Sequence, residues 1–333
     1  MPLLRFTVTP RGAFGTPMRS DTLHGHLLCA AGELDGADAV GEIISRFDSG
    51  PPPFVCSSAL PQGMLPMPCL PPIKRREFHD RYGKNSGLFG GDLFEALSAY
   101  KAFRKVPFVP QIIWTDLRSN MSPAALFERW IAETRADKGA FQPKSALYGD
   151  VWRVDHVVSH NSIDRNTGSV LQEGGLYLSD ATFYGSGVKL DLYVRTEEPE
   201  QFERLIGHIA ETGFGRDRST GKGWFDIERD MSFDAAHLKG TGTHRMSLSV
   251  LSAQDMSEVR GWYRTFPKTG RTWDGFGERN PFKKTFLAFE EGAVLEKLPS
   301  KGYVLHGIHA DPKVVQVTWP LTIALTLQTT EAA

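Results

Sequence analysis

Residues 198–225 constrain the fold more than any other segment. Glu198–Thr212 reads as an amphipathic helix, because Phe202, Leu205, Ile206, Ile209 and Ala210 fall on one face of a 3.6-residue period. Gly213–Gly223 follows as a loop with four glycines in eleven residues, and Trp224–Ile227 opens a strand. A helix with one apolar face must bury it. A turn that leads straight from that helix into a strand predicts that the helix packs back on the sheet the strand joins.

The N-terminal third supplies the other half of that unit. Leu3–Thr9 alternates apolar and polar residues and reads as a first strand ended by Pro10-Arg11-Gly12. Ser20 or Asp21 is positioned to cap a helix over Thr22–Ala31, and a second helix is expected over Ala39–Phe47. Residues 150–160 and 175–195 read as strands. The segment between breaks this order. Residues 50–72 hold eight prolines and are predicted to be extended and irregular. Residues 73–90 are basic and then glycine-rich, which predicts an unpacked, mobile surface loop. Helices are expected from Asp92 to Arg104 and from Pro123 to Ala136, the latter capped by Ser122. With the insertion removed, the order is βαββαβ. It predicts that strands 3–9 and 224–229 share one sheet beneath the helix at 198–212. From Arg245 a strand–turn pattern restarts and runs through KKTFLAFEEGAVLE to VVQVTWPLTIALTL.

At 333 residues the chain has room for about two domains, and 41% apolar residues suffice for a substantial core. Lys and Arg number 38 against 39 Asp and Glu, so contact with nucleic acid must come from local basic patches. Cys29, Cys56 and Cys69 are odd in number and form no CxxC, which argues against a disulfide framework or zinc ribbon and suits a reducing cytoplasm. The N-terminus lacks the apolar stretch of a signal peptide. No run of apolar residues is long enough to span a membrane.

Three segments are candidates for chemistry. In Gly213–Gly223 the glycines allow close backbone approach to a phosphate chain, with Arg216, Arg218 and Lys222 as cations and Ser219 as a donor. It is not a Walker A loop. Five residues separate Gly215 from Gly221, Gly223 follows Lys222, and the loop opens a strand rather than a helix. Read plainly, it is a glycine turn with solvated charges. In Ser159–Gly168, Asn161, Arg165 and Asn166 suit phosphate or ribose contacts, or form a polar hairpin tip. In Arg19–His26, Arg19, Ser20, Thr22 and His24 lie at a helix N-terminus, where unpaired N–H groups suit an anion or simply a cap. His24 is the one candidate general base, and no partner acid or nucleophile stands near it in sequence. His156/His160 and His306/His309 lack metal-site context, and Asp191 and Asp217 suggest no catalytic carboxylate pair. Neither a metal nor a cofactor is expected. The aromatic–basic stretch 261–284 suits base stacking and phosphate contact, or packing against protein, equally.

Taken in order, these pieces resemble the RAMP superfamily, and within it the subunit of type III-A (Csm) CRISPR effectors that caps the crRNA 5′ end. The resemblance is carried by SDTLHGHL (20–27), PPPFVCSSALP (51–61), MLPMPCLPP (64–72), HNSIDRNTG (160–168) with GGLY (174–177), and GFGRDRSTGKGWF (213–225). It covers about residues 1–230. The C-terminal third matches only through FLAFEEGAVLE, and residues 73–150 match no family pattern. The resemblance implies an α+β protein of two ferredoxin-like (RRM-like) domains, at 1–235 with an insertion at about 50–150 and at 240–333. It further implies binding of the crRNA 5′ tag, contact with the large signalling subunit and a neighbouring backbone RAMP, and no nuclease activity. The tag-binding role maps onto Arg19–His24, Ser159–Gly168 and Gly213–Gly223. Two alternatives stay open: a RAMP endoribonuclease processing precursor crRNA with His24 as base, and a protein-interaction module without RNA contact.

Overall fold

The computed structural model describes residues 1–83, 87–136, 152–171, 175–272 and 280–328. Lys84, Gly174, the end of the insertion at 137–151 and the middle of the aromatic–basic stretch at 273–279 lie outside the described residues.

The chain opens with β1 (Leu3–Pro10), α1 (Ser20–Asp35), α2 (Ala37–Ser49), β2 (Phe54–Cys56) and β3 (Leu60–Pro61). The insertion follows with β4 (Met64–Pro66), α3 (Arg75–Tyr82), α4 (Leu93–Phe103), β5 (Phe108–Pro110), α5 (Gln111–Leu117) and α6 (Pro123–Arg135). A long hairpin, β6 (Arg153–Asn161) and β7 (Leu176–Tyr184), leads to β8 (Leu190–Thr196), α7 (Pro199–Thr212) and β9 (Phe225–Arg229).

The main sheet runs β2-β8-β1-β9 with every neighbour antiparallel. This is the strand order of a βαββαβ unit in which β1, β2, β8 and β9 are the four strands and α1 and α7 the crossovers. Strands 3–10 and 225–229 pair directly, from Phe6 opposite Arg229 to Pro10 opposite Phe225. α7 buries Phe202, Leu205, Ile206 and Ile209 on the face formed by Phe6, Val8, Leu192 and Val194, as its periodicity predicts. The rings of Phe6 and Phe202 meet at 5.2 Å. Burying each such side chain contributes about 1.5–3 kcal/mol.

β8 is buried on both sides, and its Leu190, Leu192, Tyr193 and Val194 are apolar on both faces while Asp191, Arg195 and Thr196 are not. Its second face, with Leu3, Val55 and Tyr193, packs on a core shared with the insertion and the C-terminal part. Trp114 and Phe127 of the insertion are fully buried there.

The region read as an unpacked loop contains a packed helix, α3. Phe78 and Tyr82, four residues apart, form one face of α3, and both are buried against Tyr100 and Phe127. Six charged neighbours at 74–77 and 80–81 masked this two-residue apolar stripe. Two caps follow the sequence reading. Asp92 accepts from the amides of Phe94 and Glu95, and Ser122 accepts from Ala125. The cap of α1 does not. Arg19 is its N-cap residue, and Ser20 and Asp21 lie inside the helix.

The C-terminal part contains β10 (His244–Ser247), β11 (Arg260–Trp262), β12 (Thr265–Lys268), β13 (Phe286–Phe289), β14 (Val294–Lys297), β15 (Val304–Leu305), β16 (Gln316–Val317) and β17 (Thr322–Leu325). Its four-stranded antiparallel sheet is ordered β11-β14-β10-β17. Among the described residues from 240 onward there is no α-helix. A second complete βαββαβ unit is therefore not seen: the sheet is present without its helices. The connections are rich in Gly, Pro and isolated aromatics and carry no helical period, and α1 of the first unit packs against β16 instead. No helix among the described residues is long and apolar enough to cross a membrane.

Candidate nucleic-acid interface

The glycine-rich loop is shaped by its own chain. Gly213, Gly215, Gly221 and Gly223 all have positive φ, and Asp217 adopts a left-handed conformation with φ 62°. A Cβ on Gly223 would lie 1.9 Å from the carbonyl oxygen of Phe214, and one on Gly215 would lie 2.8 Å from Thr16 Cβ. These glycines serve close approach within the protein, where the sequence suggested approach to a phosphate. The amide of Gly223 donates to Ala13 at 2.7 Å and that of Gly215 to His26 Nε2 at 3.0 Å, so the loop is fixed to the β1–α1 connection and to α1.

Its cations are engaged rather than solvated. Lys222 Nζ donates to Asp217 at 2.8 Å and to Ser179 of β7 at 3.1 Å. Arg216 donates to the Asp180 carbonyl at 2.6 Å. Both therefore clamp β7 of the long hairpin, where Ser179 also bonds His160 of the second candidate segment at 2.8 Å. Arg218 reaches Glu33 of α1 at 3.8 Å, and Ser219 is exposed. Asn161, Arg165 and Asn166 are exposed towards the hairpin's far end, Asn161 about 10 Å beyond the clamp at 3.3 Å per residue and the other two further out in the turn. Asp164 shapes that turn by accepting from the Asn166 amide at 2.7 Å.

The N-terminus of α1 is not an open anion site. Ser58 Oγ accepts from the Ser20 amide at 3.0 Å, and Arg19 forms a paired contact with Glu291 at 3.1 and 2.6 Å while lying over the Phe266 ring. Ser20 is fully buried, its hydroxyl accepting from the Val250 amide. His24 is 1% exposed, between Phe47 and Phe54, with Nδ1 donating to the Ser20 carbonyl. Of the four residues proposed there, Ser20 and His24 do not reach the surface, because they sit on the face of α1 that packs on the sheet. Thr22 does.

The opposite face of α1 carries Thr22, His26, Cys29 and Glu33, spaced four, three and four residues apart. Cations approach it from two sides. Lys268 Nζ donates to Thr22 Oγ1 at 3.1 Å and sits 2.8 Å from the buried Asp21. Lys283 donates to the Val315 carbonyl and Gln316. Burial draws its ammonium down to about 8. Burial and then Glu33 raise the Cys29 thiol to about 11, opposed by Lys283 and Arg218. The result is a strip of α1, here called the furrow, with Arg218, Lys268 and Lys283 gathered around it. Sequence reasoning flagged only the stretch 261–284, and nothing in its spacing singled out these two lysines.

His24 makes a testable acid-sensitive element. Burial lowers its pKa from 6.5 to about 4, against the raising effects of the Ser20 carbonyl and Asp21. Unfolding frees it to bind a proton. Its stabilising contribution is therefore present above pH 6.5 and lost as pH falls towards 4, to a limit of about 3 kcal/mol. Urea unfolding at pH 7 and pH 4.5 should show a smaller acid loss for His24→Phe than for the wild type. Equal losses would assign the acid sensitivity elsewhere.

Among the described residues no group of three or more His, Cys, Asp and Glu is arranged to hold a metal ion. No family model matches the sequence, and no curated protein matches it. Solved structures do match in fold. A chain of the Csm1–Csm4 cassette crystallised with pppApA is 16% identical, with a TM-score of 0.55 over 97% of this chain and 99% of that one. A chain of the Csm3–Csm4 subcomplex in the type III-A CRISPR-Cas interference complex is 15% identical, with a TM-score of 0.55 and the same coverage. A further Csm1–Csm4 cassette, with AMPPNP, gives 0.55 over 98% of this chain. Csm4 is the component common to these assemblies. The likeness establishes the shared fold, and it extends through the insertion and the C-terminal third that the sequence resemblance did not reach.

Proposed function

We propose that this chain, which shares its fold from end to end with chains of type III-A CRISPR assemblies, is a non-catalytic RAMP subunit of a type III effector. In this reading it binds the 5′ tag of crRNA and joins the large signalling subunit to the neighbouring backbone RAMP. The observation that carries it is the full-length likeness to chains from assemblies containing Csm1 on one hand and Csm3 on the other. The furrow on α1 supports RNA as ligand. In a chain with net charge −1, Arg218, Lys268 and Lys283 converge on one helix face beside the hydroxyl of Thr22. That chemistry suits the sugar–phosphate backbone of a single strand, which needs no base-edge code. Arg216, Ser219 and Lys222 border the furrow, and Asn161, Arg165 and Asn166 extend the surface along the hairpin.

The endoribonuclease alternative needs a general base within hydrogen-bond reach of the RNA. His24, buried beneath two phenylalanines, does not favour it. His26 is committed as an acceptor to the Gly215 amide and is held near 4 by burial and Arg218.

The test is fluorescence anisotropy of purified protein with RNA bearing a repeat-derived tag and with an unrelated single strand of equal length, over a salt series. The tag RNA is expected to bind more tightly at every salt concentration, with affinity falling as salt rises. Equal affinity for both strands would remove the tag from the proposal. Repeat RNA incubated without metal is expected to remain intact, and a discrete cut product would replace this reading with the nuclease one.

A further inference from the structure

Two arginines meet at the rim of the seam between the two large sheets. Arg195 lies on β8, between Leu3 and Val55 on the adjoining strands. Arg245 lies on β10, between Leu295 and Ala324. Arg195 Nη2 donates to the Thr322 carbonyl at 3.3 Å, and Arg245 Nη2 reaches the same oxygen at 3.5 Å. Arg245 Nε donates to Thr322 Oγ1 at 2.7 Å. Arg195 Nε is buried with no partner.

Among the described residues neither guanidinium meets a carboxylate. Other part-buried arginines do: Arg5 pairs with Asp230 and Arg19 with Glu291. Burial, followed by repulsion from Arg245, holds the Arg195 guanidinium below its ordinary value. A neutral carbonyl satisfies donors but does not compensate two like charges, so the pair carries unsatisfied affinity for an oxyanion. The planar fork of arginine matches a carboxylate bidentately. Arg245 is exposed, which leaves the pair open to a ligand from solvent.

We propose that Arg195 and Arg245 form a seat for an acidic side chain, aspartate or glutamate, of a partner protein. Three observations favour a protein carboxylate over an RNA phosphate. The seat stands apart from other uncompensated cations: β2, β8, β10 and β17 carry no other lysine or arginine, and the cations of the flanking strands β1 and β14 are paired, Arg5 with Asp230 and Lys297 with Glu258, whereas a nucleic-acid backbone is followed by a row of cations. Among the described residues neither guanidinium is stacked with an aromatic ring, and single-strand sites interleave cations with stacking surfaces. Arg195 shares the sheet face of Leu3, Val55 and Tyr193, while α1 and its furrow cover the other face. The seat therefore stands independently of the RNA reading.

Fluorescein-labelled short polyglutamate and a short oligouridine serve as probes for anisotropy at low salt. They are measured with wild type, Arg245→Gln and Arg195→Gln/Arg245→Gln, with thermal melting as the check on folding. Polyglutamate affinity is expected to fall about tenfold in the double variant and severalfold in Arg245→Gln, while oligouridine affinity stays within about twofold. If the double variant fails to fold, Arg245→Gln, which alters an exposed side chain, decides alone. Loss of oligouridine binding with polyglutamate unchanged would make the seat a phosphate site and overturn the proposal. Unchanged polyglutamate affinity, or none in the wild type, would overturn it equally.

Discussion

Gly223→Ala is expected to destabilise the chain more than any other single-methyl addition in the glycine-rich loop, by about 3–5 kcal/mol, or to prevent folding. The residue has φ 75°, which disfavours alanine by about 1 kcal/mol even in open space. Space is the larger problem. The added Cβ would lie 1.9 Å from the Phe214 carbonyl oxygen and 2.7 Å from the carbon and nitrogen of the same residue. These are backbone atoms, so no rotamer change relieves the overlap. Phe214 is fully buried and its amide donates to the Gly223 carbonyl at 2.9 Å, so parting the two strands of the loop breaks that bond and disturbs the core. Gly221→Ala is the matched control. Its φ is 93°, yet a Cβ there meets nothing within 4 Å, so only the conformational penalty of about 1 kcal/mol applies. Urea unfolding of both variants decides the matter. If their stabilities agree within about 1 kcal/mol, close packing of the loop is not why Gly223 is glycine.

The second large effect is on RNA. Arg218→Ala/Lys268→Ala/Lys283→Ala is expected to weaken binding of single-stranded tag RNA by about 2–3 kcal/mol, roughly 30- to 150-fold, at moderate salt. The plot of log affinity against log salt should flatten by about 2, the slope carried by three phosphate contacts on a single strand. Arg216→Ala/Lys222→Ala should have a smaller effect, because those cations are committed to Asp180, Ser179 and Asp217 and act by holding the hairpin. Lys283 adds a pH signature. With its ammonium drawn down to about 8, its share of the attraction fades as pH rises through that value, and Lys283→Met should abolish that part of the pH dependence. Circular dichroism and melting check that the variants fold. Superimposable salt series for wild type and the furrow triple variant would move the RNA path away from α1.

Much of the architecture was legible because it is encoded over short spans. The face of α7, the caps at Asp92 and Ser122, and the alternation of β1 each depend on residues within about four positions, where period and hydrogen-bonding chemistry act directly. The order of these elements then limited the sheet to one arrangement, and β1 and β9 pair accordingly. The same local reasoning missed α3, where Phe78 and Tyr82 supply only one turn of apolar period among charged residues. The restart of a strand–turn pattern after Arg245 was legible, while the second ferredoxin-like domain implied by the resemblance is represented in the described C-terminal chain by its strands without helices.

The sequence by itself determined the mixed helix-and-sheet class, the N-terminal topology and the place of the glycine-rich loop between a helix and a strand. Tertiary structure alone decided which side chains face outward and which charges meet. His24 and Thr22 are two residues apart on α1, yet one is buried in the core and the other touches Lys268, 246 positions away. Arg195 and Arg245 come from different sheets and converge on one carbonyl of a third strand. Secondary structure follows from backbone preference and apolar period over a few residues. Burial and ion pairing depend on how distant surfaces close over one another, and neither quantity is a function of any local stretch of sequence.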